Sequence, residues 1–352
     1  MRPQGVGGRR AGWPHPARDG PGCTGLRDHP YWRVIPVPRC HHGRSARHPV
    51  GDHRDPHPGH GGETQRKVDD PMTTTAALIK RETPEVRDLR FNLSDVPRFW
   101  HGERRAVTLF FDNLSIFFPA GERFFMASVK AFRNQVTDPQ LKSEVDAFCA
   151  QEGHHSREHV RYNKMIAAKG YPVDAMERRV EWILQRVTKY APRKRQLAVT
   201  CALEHFTAML ASLVLKDPKM LENAEPRMAE LWRWHSAEET EHKAVAFDVY
   251  RAIGGSWLMR CIVMFLTTLV FWGKVYEHQV RLMHEEKILF SVTEWFSLVR
   301  YLFIQPGGML GLVGPYLDYY RPGFHPWEHD NSEMLQQWKA GLTAPQPARL
   351  QG

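Results

Sequence analysis

One pattern restricts what this chain can fold into more than any other: a lone glutamate followed by Glu-x-x-His, written twice. Glu122 precedes Glu152 and His155 by 30 residues, and Glu204 precedes Glu239 and His242 by 35. His235 stands four residues before the last motif. Helical periodicity surrounds each position, so the pattern describes four helices that each turn a carboxylate to one interior point, two of them adding a histidine at i+3. A helical bundle with that donor set is built to hold two metal ions. At about 100° per residue, His235, Glu239 and His242 fall within an arc of roughly 60°, and Glu152 and His155 lie about 60° apart, whereas His154 and Glu238 point elsewhere.

Charge makes the pattern more than a coincidence of residue types. Four carboxylates gathered inside an apolar bundle repel one another and lose their hydration, which two divalent cations would offset. The histidines add neutral nitrogen donors. Mixed carboxylate and imidazole donors suit iron first and manganese second, ahead of calcium or magnesium.

The helices can be placed from their punctuation. Helix A is expected from Arg104 to about Gln135. Helix B starts at Thr137-Asp138-Pro139, a cap followed by a first-turn proline, and ends at Gly170-Tyr171-Pro172. Asp174 to Tyr190 reads as an amphipathic crossover between the two halves, helix C follows Pro192 to Asp217-Pro218, and helix D runs from Pro226 to Ile253 before Gly254-Gly255. Pro119 lies inside helix A and should free the Ser115 carbonyl. Phe111, Ser115, Phe118, Phe125 and Val129 share the face of Glu122, either as plain core or as an aromatic wall for a substrate. His159 shares the helix B face and reads as a satisfied core histidine, with an eighth ligand or a proton-transfer group as the alternatives. Glu238, Asp248 and Asp146 are the carboxylates available to hold the outer nitrogens of ligating histidines.

The flanks differ in character. Residues 1–71 carry 12 Lys/Arg against 7 Asp/Glu, +5 of the net +9, and eight of the 19 histidines, without periodicity. This composition cannot form a core, and the segment is expected to be a disordered leader, or upstream sequence ahead of a start at Met72. With that excess removed, nothing signals nucleic acid. Residues 72–103 form an N-terminal extension, 104–254 the bundle, and 255–352 an additional helical region. Within it, Trp257 to Trp272 is almost wholly apolar, about 16 residues where a span needs roughly 20. It reads as a buried or bundle-edge helix, then as an interfacial membrane helix, and last as a span; a dimer interface is a further use for such a face. The five cysteines show no paired spacing, which fits a reducing cytoplasm, with membrane association as the alternative.

From about Arg87 onward the chain resembles the bacterial family called predicted metal-dependent hydrolases. The resemblance is carried by Phe118-Pro119-Ala120-Gly121-Glu122, by Glu152-Gly153-His154-His155 and by Trp234-His235-Ser236-Ala237-Glu238-Glu239-Thr240-Glu241-His242. It implies an all-α, ferritin-like four-helix bundle with a crossover helix and C-terminal additional helices. The third histidine is similar to that of di-iron arylamine N-oxygenases, which implies His235 as a ligand. On this reading Glu122 and His155 serve one ion, Glu204, His235 and His242 the other, and Glu152 and Glu239 bridge. The expected chemistry is oxygen-dependent oxidation of a small organic or lipid-like substrate, fed by an electron-donor protein, with hydrolysis by a metal-activated water as the alternative. Iron storage is disfavoured by the long region after helix D.

Overall fold

The structure, a computed structural model, describes residues 83–342. The leader expected over 1–71 and the first part of the 72–103 extension lie outside them. The described chain is all-α: no strand occurs among these residues, and His101 with Ala224 makes an isolated bridge.

Four long helices build the centre: α1 (Arg105–Lys130), α2 (Pro139–Ala168), α4 (Arg193–Lys216) and α5 (Pro226–His242). Helix α1 packs on α2 and α4 on α5, with α1 against α4 and α2 against α5 closing the square. The crossover is α3 (Val173–Tyr190), which lies on α1. Local chemistry sets these boundaries. Asp138 accepts from the Gln140 amide with Pro139 in the first turn, and Glu225 accepts from the Met228 amide ahead of Pro226. Gly170, at φ +94°, supplies the left-handed residue that turns the chain after α2.

Helix α1 passes through Pro119 without interruption. The carbonyl that Pro119 should free, that of Ser115, accepts from Asn163 Nδ2 at 3.2 Å. A neighbouring helix thus supplies the donor that proline removes. Two expected boundaries are corrected. Helix A ends at Lys130 rather than Gln135, because the following turns carry Phe132 and Val136 into the core. Helix D is two helices: α5 stops at His242 and α6 (Val245–Ala252) resumes after a turn at Lys243 and Ala244. No glycine or proline marks that break. It coincides with buried Lys243, whose ammonium donates to the His329 carbonyl at 2.6 Å and also bonds Asn331.

After α6 come α7 (Trp257–Glu285), α8 (Val292–Phe303), α9 (Val313–Asp318) and α10 (Ser332–Leu342). The apolar segment is the first half of α7, which lies at the edge of the bundle against α1 and α4. Its inner face holds Val263 and Met264, while Leu258, Ile262, Phe265, Leu266 and Leu269 stay exposed. By length and composition α4 and α7 could each cross a membrane, but their most apolar windows are 56% and 28% buried, so α4 is accounted for as core and α7 only in part. The tail Phe324 to Trp327 turns back on the bundle: Phe324 is buried and His325 Nε2 lies 3.0 Å from Asp248.

Two apolar clusters flank the middle of the bundle. One contains Leu109, Ile116, Trp232 and Trp234; the other contains Phe125, Phe148, Cys149 and Cys201. The polar residues described next lie between them. Ile116 is fully buried, so replacing it with Ala should cost about 2–5 kcal/mol of unfolding free energy, read from chemical denaturation.

Candidate metal centre

The bundle brings the seven singled-out residues to one place. Glu122, Glu152, Glu204 and Glu239 are at most 1% exposed, and His155, His235 and His242 at most 3%. Donor atoms of Glu122, Glu152 and His155 lie within 4.8 Å of one another, as do those of His155, His235 and Glu239, and of Glu152, Glu239 and His242. Glu204 joins through His242, whose Nε2 is 3.5 Å from Glu204 Oε2, 3.5 Å from Glu152 Oε1 and 3.3 Å from Glu239 Oε2.

All but one of the carboxylate oxygens are buried without a hydrogen-bond partner. Both oxygens of Glu122, Glu152 and Glu204, and Oε1 of Glu239, accept no hydrogen bond. Each such group should carry a penalty of about 1–3 kcal/mol, and more when charged. Burial raises Glu122 and Glu152 well above the usual carboxylate range, with mutual repulsion adding to it, and pushes Glu204 up to about 8. Burial acts on Glu239 in the same sense, but His242 and His235 hold it well below. For His242 burial opposes charge, and Glu239 and Glu204 outweigh it, raising the imidazole to about 9.

Each histidine is fixed from behind. His155 Nε2 is 3.0 Å from Glu238 Oε2 and, donating there, leaves Nδ1 bare toward Glu152 and Glu239 at 3.9 and 3.8 Å. His242 Nδ1 is 3.1 Å from Gln151 Oε1. The Gln151 amide is oriented by its NH2, which donates to Glu241 Oε2 at 2.8 Å and to the Glu85 carbonyl at 3.0 Å, so its oxygen must face the imidazole. The third case runs through His159. Asn163 Nδ2 donates to the Ser115 carbonyl and to Glu177, which turns Asn163 Oδ1 toward the Ser115 hydroxyl at 2.7 Å. Ser115 Oγ donates its proton there and accepts from His159 Nδ1 at 2.9 Å. His159 Nε2 is then a lone pair that accepts from His235 Nδ1 at 3.1 Å, leaving His235 Nε2 open 3.2 Å from Glu239 Oε1. In all three, one nitrogen is anchored and the other faces the carboxylates, the arrangement that orients metal-binding imidazoles.

His235 and His155 both face Glu239 Oε1, and His235 also groups with Glu122 and His159, whereas His242 faces Glu239 Oε2 with Glu204. His235 precedes Glu239 by one turn and His242 follows by nearly one, so the two imidazoles meet opposite oxygens of the carboxylate between them.

Other expectations divide. Of the three carboxylates considered as outer partners, Glu238 holds His155; Asp248 bonds His325 instead, and Asp146 pairs with Arg133 at the surface. Phe118 lies 4.5 Å from the rings of both His235 and His159. Phe111 packs on Trp232 and lines a small hollow with Phe118 and His235, whereas Val129 lies in the second apolar cluster. Gln151 escaped notice because nothing in a glutamine beside a ligand marks it. So did Arg87, which donates to both Glu238 and Glu241 from the extended N-terminal segment, and Lys339 of α10, 2.8 Å from Glu241. These contacts arise from tertiary packing between distant parts of the chain.

A family model described as "Predicted metal-dependent hydrolase" matches residues 85–330. The chain belongs to this family. No match was found among curated proteins or among solved structures. The matched span covers every residue of the cluster and the outer partners Glu238, Gln151 and Arg87, and leaves Lys339 beyond it. The description is hydrolytic, which supports the alternative chemistry over the oxidative reading placed first from sequence.

Glu238→Gln should lower metal affinity about 10–100-fold, by weakening the hold on His155 without removing a donor, as measured by competition with a chelator. Metal binds deprotonated donors, and Glu204 near 8 and His242 near 9 hold protons at neutral pH in the protein alone; affinity should therefore rise from pH 6 to pH 9, with protons released in weakly buffered calorimetry.

Proposed function

We propose that this protein hydrolyses an apolar small molecule at a dinuclear metal centre held by Glu122, Glu152, His155, Glu204, His235, Glu239 and His242. The observation that carries the proposal is the set of three imidazoles, each anchored at one nitrogen and turning the other onto four buried carboxylates, of which only Glu239 Oε2 has a hydrogen-bond partner. Iron or manganese fits this donor set. A pair of such ions supplies Lewis acidity and a water of lowered pKa at neutral pH.

The chain's own residues supply position and exclusion of water. Glu122, Glu152 and Glu239 each occur in more than one donor group, so these carboxylates link the donors into one cluster. Glu122, His155 and His235 would hold metal on one flank of Glu239, and Glu204 and His242 on the other. Ser115, His159 and Asn163 hold His235 in a single tautomer with Nε2 inward. Phe118 closes that flank, so a substrate meets the centre along an apolar wall rather than through bulk water.

A second reading, oxygen-dependent oxidation, is favoured by that same apolar wall. It adds an electron-donor protein as partner. Oxygen separates the two. The full chain, loaded anaerobically with Fe(II) or Mn(II), should cleave apolar nitrophenyl esters without oxygen, and Glu152→Ala should reduce cleavage to background. Silence toward esters, with substrate-dependent oxygen uptake after reduction, would replace hydrolysis by the second reading.

A further inference from the structure

Beside the centre a cavity of about 290 Å³ runs between α1, α3, α4 and α7. It extends from Val180 to Val187 along α3, reaches Ala191 just beyond that helix, and runs from Val263 to Lys274 along α7. Eleven residue steps on α7 correspond to about 16 Å at 1.5 Å per residue, so the space is a slot rather than a bowl. Halfway along, its wall is Phe118, Gly121, Leu203 and Thr207, within a helical turn of Glu122 and Glu204. It opens to the surface between α3 and α7, where Leu266 and Val270 line it while remaining 54% and 50% exposed.

The slot is apolar along its length and charged at its ends, with Arg195 at one and Lys274 at the other. At the Lys274 end it adjoins a second hollow, sharing Ile183 and Lys274 with it; this hollow adds Arg178, Arg179 and the 57% exposed indole of Trp182. Glu277 pairs with both Arg179 and Lys274. Two of the three cations lining this hollow thus share one carboxylate and Arg178 adds a third, so the mouth of the apolar slot is cationic.

We propose that the slot binds a single-chain amphiphile with an anionic head, a carboxylate or a phosphate. The chain lies past the metal centre, and the head rests against Arg178, Arg179 and Lys274. This rests on the reading of the centre as acting on an apolar substrate and names the class of that substrate. An apolar chain buried along helices supplies affinity, while the cations at one end fix its direction, so that the same stretch of chain lies each time against Phe118 and Gly121, the wall between the slot and the centre.

Calorimetric titration of the metal-loaded full chain with dodecanoate, dodecyl phosphate, dodecanol and butyrate tests this. Both anionic twelve-carbon probes should bind more tightly than dodecanol, their order reporting which head is preferred, and butyrate should not bind measurably. The double variant R178E/K274E should weaken both anionic probes at least tenfold and leave dodecanol within about twofold. Leu184→Trp, which places an indole in the slot, should weaken all three long probes, with a melting curve confirming the fold. Equal binding of dodecanol and the anions, loss of dodecanol binding in R178E/K274E, or unchanged affinity in a folded Leu184→Trp protein would overturn the proposal. Binding is read without turnover, so an inactive centre would count against the functional reading and not against this one.

Discussion

Four glutamates share one buried point, and the arrangement of the bundle follows from what that demands. Carboxylates without hydrogen-bond donors, at most 1% exposed, are among the costliest groups a core can contain. Burial pushes Glu122, Glu152 and Glu204 toward the protonated form, and the two nearest histidines push Glu239 toward the charged one, so the protein groups alone reach only a partial compromise. Cations at the shared point would release those protons and satisfy seven donors together. The unsatisfied state is thus the physical sign of a binding site.

Holding such a site open requires support from outside it. The outer nitrogens of His155, His235 and His242 rest on Glu238, His159 and Gln151, and these rest in turn on Arg87, on Ser115 with Asn163, and on Glu241. Arg87 comes from the segment before α1 and Lys339 from α10, and both neutralise Glu241. The two flanks of the described chain therefore converge on one face of α5. That convergence makes the extensions structurally necessary, since without them Glu238 and Glu241 would lie buried without countercharge, behind the imidazoles they help to fix.

Much of this was legible beforehand, for identifiable reasons. The i, i+3 and i+4 spacings of Glu152, His155, His235, Glu239 and His242 restrict them to inward faces whatever the neighbours do, and caps such as Asp138-Pro139 act locally. The freed Ser115 carbonyl was readable from Pro119 alone; its acceptance from Asn163 was not, because the donor lies 48 positions away. The break after His242 lacks a glycine or proline and coincides with Lys243 reaching His329 and Asn331. Which oxygen of Glu239 each of His235 and His242 meets cannot be read from spacing, since it depends on how the helices pack.

By itself the sequence determined the helical class, the pattern of inward carboxylates and imidazoles, and the apolar half of α7, because periodicity and capping are properties of neighbouring residues. Tertiary structure decided which partners anchor the histidines, on which side of Glu239 His235 lies, and that α7 covers the bundle with one face while walling a slot beside the centre. Those outcomes depend on distances between residues far apart in the chain, which only packing brings within reach of one another.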